Sequence, residues 1–168
     1  AVTVTAKDEF GNTATGYTGT VAFTSTDGQA NLPPNYVFDG GDAGTTTIAD
    51  GVTLKTAGEQ VVTATDTVTS SITGAQADIT VTAAAAAKVG LAADKTTLAG
   101  DGKGSANLTA TLLDAFDNTL ATDGVTVNLT ISDDTYVELD NSAPQTTAGV
   151  ATAVITTKAG DIVNPPQT

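Results

Sequence analysis

Residues 2–12 read VTVTAKDEFGN, and this stretch combines the two signals that decide the fold. Val2–Lys7 alternates apolar and polar side chains, which is the period-two pattern of a half-buried β-strand. Asp8–Asn12 then supplies residue types that tolerate a left-handed backbone or cap their own backbone, so a turn is predicted there. The start of the chain therefore predicts a strand that ends in a tight polar turn.

The same combination returns about one hundred residues later, which indicates an internal repeat. Residues 108–118 read LTATLLDAFDN, so Asp114–Asn118 follows an alternating run just as Asp8–Asn12 does. A second pair of similar stretches is Gly51–Gly58 and Gly149–Gly160. Because this spacing matches the size of one immunoglobulin-like unit, the two halves are interpreted as homologous modules.

Short alternating runs separated by turn signals continue along the whole chain. Asp-Gly pairs and the consecutive prolines Pro33 and Pro34 mark the turns and loops between them. Further strands are predicted over Thr18–Thr24, Tyr36–Phe38, Thr45–Leu54, Gln60–Thr65, Ala77–Thr82, Val89–Leu98, Ser105–Leu113, Val125–Ile131, Tyr136–Leu139 and Val150–Thr156. This spacing predicts an all-β fold of two tandem immunoglobulin-like β-sandwich modules with antiparallel Greek-key sheets.

Five consecutive alanines, Ala83–Ala87, separate the two halves. Alanine favours helices, but five residues are too few to nucleate a stable helix alone. We therefore predict a short linker of low bulk. The predicted organisation is a first module over residues 1–83, a linker over residues 84–88 and a second module over residues 89–168.

The composition excludes several classes of function. The chain has 19 Asp and Glu residues against 6 lysines, and its net charge of −13 opposes binding to nucleic acid or to anionic membranes. The absence of His and Cys removes zinc sites of the His/Cys type and catalysis of the Ser-His-Asp or Cys-His type. No apolar stretch approaches the ~20 residues that span a bilayer. We expect neither an enzyme nor direct insertion into a membrane.

The two repeated turns carry the best clusters of oxygen ligands. These candidate calcium ligands are Asp8, Asn12, Asp114, Asp117 and Asn118. Calcium binds six to eight oxygens, and each turn offers two or three from carboxylates and carboxamides. The alternative is an Asx-turn in which Phe10 or Phe116 closes the end of the sandwich. The Asx-turn is the preferred interpretation, so no cofactor is expected and calcium is kept as a weak candidate.

The order of these motifs resembles the bacterial immunoglobulin-like repeats of invasin- and intimin-type adhesins and related large surface proteins. The shared pattern is a strand, Asp-x-Phe-x-Asn, a turn, Val-x-Phe or Val-x-Leu, Gly-Val and Ala-Gly. Thr3–Thr24 and Thr53–Asp66 carry it in the first half, and Leu98–Ser132 and Gly149–Gly160 carry it in the second. The resemblance implies an extracellular location at a bacterial cell surface.

The resemblance also implies that each half is short of strands. The family's module has an opening strand before the equivalent of Val2–Lys7, and it continues past the Ala-Gly motif through two more strands. Two explanations stay open. Either the chain is part of a longer one, or a neighbouring copy supplies the missing strand to an exposed sheet edge.

The function implied by the resemblance is structural. Such repeats form stalks, S-layer lattices or filaments, and the expected partners are neighbouring modules or copies of the chain itself. The alternative is an adhesive module that contacts a host protein, a glycan or a neighbouring cell. Scarce aromatic residues and the absence of Arg disfavour a strong binding hot spot, since Trp, Tyr and Arg usually carry one.

Overall fold

The computed structural model describes residues 1–49 and 51–159, which form strands, turns and irregular segments without a helix. Every strand pair in these ranges is antiparallel, so the predicted all-β, antiparallel fold is confirmed. The strands are β1 (Val2–Thr5), β2 (Thr20–Ser25), β3 (Tyr36–Val37), β4 (Thr45–Ile48), β5 (Gly58–Asp66), β6 (Thr73–Val81), β7 (Lys88–Ala93), β8 (Ser105–Leu113), β9 (Val137–Leu139) and β10 (Val150–Thr157). Within the described ranges, no helix is long and apolar enough to cross a membrane.

The chain divides into two compact units, Ala1–Thr82 and Ala83–Thr168. The alanine run Ala83–Ala87 is not helical. The backbone N–H of Ala84 donates a hydrogen bond to a side chain of the second unit, which ties the run to that unit. The module limits at residues 83 and 89 stay a prediction.

The first unit is a sandwich of two sheets. One sheet pairs β1 with β4, and the other has the order β3-β2-β5-β6. Val21, Phe23 and Phe38 form the buried cluster, and Val4 of β1 and Ile48 of β4 pack against it from the facing sheet. The alternation seen in the sequence thus buries one face of each strand between the sheets.

The second unit is built on one four-stranded sheet of order β7-β8-β10-β9. Ala110 and Leu112 of β8 and Ala151 of β10 are buried on one of its faces. Val127, from the irregular segment 125–131, completes this cluster. The second layer of the second unit is therefore an irregular segment rather than a sheet.

The prediction of a regular strand over Val125–Ile131 is wrong. The segment keeps the alternation of burial expected from its sequence, with Val127 buried and Thr126 and Asn128 exposed. It has one antiparallel bridge, between Thr126 and Gln145, and no ladder. A strand needs a partner that runs along it, and the described partner here is a short loop.

One corner is repeated in both units. The N–H of Asp8 donates to the carbonyl of Asn12 at 2.9 Å, and the N–H of Asp114 donates to the carbonyl of Asn118 at 3.0 Å. Each unit also has an Ala-Gly pair with positive φ just before β4 or β10. The φ angles are 50° and 79° at residues 43 and 44, and 49° and 80° at residues 148 and 149.

This repeated corner corrects part of the sequence alignment between the halves. The sequence pattern pairs Gly51 with Gly149, but the structure places Gly44 in the position of Gly149. The N–H of Ala6 donates to the carbonyl of Gly44, as the N–H of Leu112 donates to the carbonyl of Gly149, both at 2.9 Å. Gly51-Val52 repeats the dipeptide Gly149-Val150 in sequence, but Gly51 does not have the positive φ that Gly44 and Gly149 share.

Candidate functional site

The first repeated turn is an Asx-turn centred on Asp8. Its Oδ1 accepts the N–H of Phe10 at 3.0 Å and that of Asn12 at 2.8 Å, and its Oδ2 accepts Nδ2 of Asn12 at 3.0 Å. The side-chain hydrogen bond from Asn12 and these backbone donors lower the pKa of Asp8. The turn is exposed to solvent.

The second repeated turn has the same geometry, but its Asp114 and Asn118 are buried. Oδ1 of Asp114 accepts the N–H of Phe116 at 2.8 Å and that of Asn118 at 2.9 Å, while Oδ2 accepts Nδ2 of Asn118 at 2.8 Å. A further donor, the N–H of Ala84, reaches Oδ2 at 3.0 Å. Burial raises the pKa of Asp114, but the hydrogen bonds outweigh it and hold the pKa at about 2.

Phe10 does not close the end of the first sandwich, so that part of the prediction is wrong for the first turn. Phe10 is 81% exposed and Phe116 is 37% exposed. The carboxylate of Asp8 accepts the backbone N–H of Phe10, which fixes the first turn without burying the ring. The Asx-turns themselves are present as predicted.

The candidate calcium ligands are brought together in pairs, not in a cage. Asn12 and Asn118 present their amide nitrogens to Asp8 and Asp114. Asp117 instead forms an ion pair with Lys88, with 2.6 Å between Nζ and Oδ1. Residues 1–49 and 51–159 contain no group of three or more His, Cys, Asp or Glu side chains that could hold a metal ion. Calcium binding stays a weak prediction.

A buried carboxylate that the sequence did not reveal is Asp27, which is 4% exposed. Its Oδ2 accepts the N–H groups of Lys55 at 2.5 Å and Thr56 at 2.9 Å, and its Oδ1 accepts the N–H of Gln29 at 2.8 Å and the hydroxyl of Thr56 at 2.6 Å. Burial raises the pKa of Asp27, but these donors dominate and lower it well below its usual range. Asp27, which follows β2, is thus hydrogen-bonded to the segment before β5.

A second buried carboxylate, Asp66, receives the hydroxyl of Tyr17. Its other oxygen accepts the N–H groups of Val68 at 2.8 Å and Thr69 at 2.7 Å. Burial and the Asp66 charge raise the pKa of Tyr17 to about 12. These contacts fix the loop between β5 and β6, so both groups serve the fold.

The second unit carries an apolar groove between its sheet and the segment 125–131, which we call the open groove. Its two adjoining parts have volumes of ≈ 420 and ≈ 360 Å³ and share Leu91, Asn128 and Leu129 as lining residues. Val89, Leu91 and Val125 on its walls are 50%, 61% and 38% exposed. Of the residues that the structure describes, none that lines it carries a charge. The sequence predicted that these positions are apolar, but it did not predict that they remain exposed to solvent.

No protein-family model and no curated protein matches the sequence. Two crystal structures of a glycosyl hydrolase family 2 member from Bacteroides cellulosilyticus align with 85% of this chain at 14% identity and a TM-score of 0.43. The chain spans 19% and 20% of those chains. The D0-D1 domain of intimin aligns with 94% of this chain and 74% of its own length, at 23% identity and a TM-score of 0.31. At these values none of the three likenesses carries an argument about function.

Proposed function

We propose that this chain is a structural module of a secreted bacterial cell-surface protein, part of a stalk, a surface layer or a filament, with no catalytic role. The observation that carries the proposal is the repeated corner. Asp114 lies 106 positions after Asp8, and the same Asx-turn and left-handed Ala-Gly pair recur at both places. A chain that repeats one β-unit can be extended by adding similar units, which is typical of spacers and lattice components.

The surface chemistry supports an extracellular role. The net charge of −13 favours solubility and disfavours non-specific adhesion to nucleic acid. The buried carboxylates Asp27, Asp66 and Asp114 are all held by N–H or O–H donors, so they stabilise loops rather than a reaction site. The resemblance of the motifs to bacterial surface repeats points the same way.

The surface location is tested on intact cells that express the full-length gene. An antibody raised against this chain should label unpermeabilised cells, and brief external protease treatment should remove the signal. Labelling that appears only after permeabilisation would contradict the proposal.

An adhesive module is the second candidate, and the exposure of Phe10 favours it. An aromatic ring held 81% exposed on a hydrogen-bonded turn is the kind of rigid anchor that interfaces use. Its counterpart Phe116 is 37% exposed and offers a matched control. The two candidates therefore differ in whether the isolated chain binds anything.

Binding assays separate a structural from an adhesive role. Labelled chain is applied to a glycan array and to cultured host cells. A structural module should give no saturable binding. An adhesive module should bind, and Phe10→Ala should weaken the binding at least ~10-fold, whereas Phe116→Ala should leave it within about 2-fold.

A further inference from the structure

β6 lies at one edge of the four-stranded sheet of the first unit. The strand order is β3-β2-β5-β6, so β6 pairs with β5 on one side, and no described strand pairs with it on the other. It has nine residues, whereas the other described strands at sheet edges have six residues (β7) or two to four (β1, β3, β4 and β9). Because an edge strand presents unpaired N–H and C=O groups, this longest edge is the one most open to pairing with another chain.

Alternate residues of β6 direct their backbone groups to this free edge. The carbonyl of Ile72 accepts the N–H of Asp66 of β5, so the residues two and four positions later also face β5. Thr73 and Ala75 lie between them, so their N–H and C=O groups point away from β5. Both residues are exposed to solvent. The first part of β6 is therefore a free strand edge that faces water.

A β-bulge interrupts β6 beyond this part. The register between the two strands shifts between Gln60 and Val62 of β5. As a result, Ala77 and Asp78 of β6 lie opposite the single β5 residue between those two. The regular pairing on the two sides of the bulge covers four residues and three residues of β6. A bulge of this kind bends and twists its strand, so it also displaces the free edge.

Asp78 supplies the backbone conformation of the bulge. Its φ is 58°, a left-handed value that Asp and Asn adopt more readily than most other residues with a side chain. The side chain of Asp78 is exposed and brings a negative charge to the edge strand. Next to it, Nε2 of Gln76 donates to the carbonyl of Ala77 at 3.0 Å, which occupies a backbone acceptor of the strand. A bulge and a charge are features that make an edge strand a poor partner for another strand.

The bulge does not serve the core of the first unit. All residues from Thr73 to Asp78 are exposed, so the bulge directs none of these side chains into the core. The facing residues Gln60 and Val62 are both buried, which is the alternation that β5 would also have beside a regular strand. The effect of the bulge therefore falls on the free edge of β6.

We propose that the bulge formed by Ala77 and Asp78 keeps β6 of one copy from pairing with β6 of a second copy. Without the bulge, two β6 strands could pair antiparallel along their full length about their common midpoint, Ala77. With it, the regular register is at most four residues long. The charge acts in the same direction, because the two Asp78 side chains would lie diagonally opposite each other, at about 7–8 Å, and would repel. This inference goes beyond the proposed function, since it states which contact between copies the fold excludes, and it holds wherever the protein is located.

Deletion of Ala77 together with Asp78→Thr tests the proposal. The deletion removes the extra residue, and threonine favours the extended backbone of a regular strand. Size-exclusion chromatography with light scattering follows the mass from about 10 μM to about 1 mM protein, in about 0.15 M salt to screen the net charge. The wild type should remain a monomer throughout. The variant should dimerise with a Kd of about 100 μM or tighter, and hydrogen exchange should show new protection at Thr73 and Ala75.

Single substitutions separate the bulge from the charge and from strand propensity. Asp78→Asn removes the charge but keeps a residue that accepts a left-handed backbone, and Ala75→Thr raises strand propensity without changing the bulge. Both variants should stay monomeric. Asp78→Val disfavours the left-handed backbone without a deletion, so it should dimerise with a Kd below about 1 mM. It also provides a second test if the deletion variant does not fold.

Circular dichroism establishes which variants are folded. The proposal is overturned if the wild type dimerises, or if either Asp78→Asn or Ala75→Thr does, because the bulge is then not what prevents pairing. It is also overturned if the folded variants designed to remove the bulge stay monomeric. Loss of folding in both the deletion variant and Asp78→Val would count against it equally, since the bulge would then serve the fold rather than the free edge.

Discussion

Asp114 is a carboxylate held by four N–H donors in a chain that has few cations. The protein has 6 lysines for 19 acids, so most carboxylates cannot be neutralised by ion pairs. Asp114, Asp27 and Asp66 are satisfied by backbone and side-chain donors instead. Such hydrogen bonds stabilise the charged form and tie down loops at the same time. Individual acidic side chains therefore hold the loops of this fold in place.

The two Asx-turns allow a comparison of a buried and an exposed carboxylate. Asp114→Asn replaces an oxygen acceptor with an amide donor that faces the N–H of Ala84 or Nδ2 of Asn118, in a site that is 1% exposed. We expect the melting temperature to fall by at least ~5 °C. Asp8→Asn, in the exposed turn, should lower it by about 2 °C or less. Differential scanning calorimetry measures both, and equal effects of the two substitutions would contradict this account.

Acid should destabilise the protein through the same groups. The pKa of Asp114 is about 2 in the folded state, against an ordinary value of 3.8, so its contribution to stability is present above 3.8 and is lost as the pH falls towards 2. The pKa values of Asp8, Asp27 and Asp66 are also lowered, and their contributions have the same sign. The melting temperature should be flat above about pH 5 and should fall steeply between about pH 4 and 2. In Asp114→Asn the fall should be shallower, and a flat profile in the wild type would refute the prediction.

At the scale of elements, the Ala-Gly pair just before β10 leaves no room for a side chain on its glycine. Gly149 has φ of 80°, and a Cβ there would collide with the carbonyl oxygen of Leu120. Gly149→Ala should lower the free energy of unfolding by about 3 kcal/mol, from the left-handed backbone and the overpacking together. Gly124→Ala is the matched control, since Gly124 has φ of 75° but open space around its Cβ position, and it should cost only about 1 kcal/mol. Urea denaturation measures both, and similar losses would show that the collision is relieved.

The elements also show how far the sequence predicts the structure. Ser105–Leu113 has the predicted bounds because its alternation is long and it pairs on both sides, with β7 and β10. Thr45–Leu54 stops at Ile48, where the pairing with β1 ends, although apolar residues continue. Val125–Ile131 has the alternation of a strand, but among the described residues it is paired along one side only. Local pattern therefore predicts which side chains are buried, while strand length depends on distant partners that the pattern does not contain.

The candidate sites divide in the same way. The Asx-turns were predictable because the carboxylate and its donors lie within four residues of each other. The Asp27 contacts with Lys55 and Thr56 were not, since they join positions far apart in sequence. The open groove was not predictable either, because it is defined by a strand that the second unit lacks within its described residues and the first unit has.

For the whole molecule, the strongly acidic charge suggests that cations could bind. The geometry of the carboxylates nevertheless predicts no specific calcium site. The carboxylates of the two repeated turns already accept N–H donors, and the paired asparagines present nitrogen rather than oxygen. A specific calcium site would have to break these bonds to gather the six to eight oxygens that calcium prefers. Calcium at about 5 mM should therefore shift the melting temperature by no more than about 1 °C relative to magnesium at the same concentration, since both screen the net charge of −13 alike. Calorimetric titration should show no saturable heat for calcium. A selective stabilisation of several degrees that disappears in Asp114→Asn but persists in Asp8→Asn would instead establish a calcium site at the second turn.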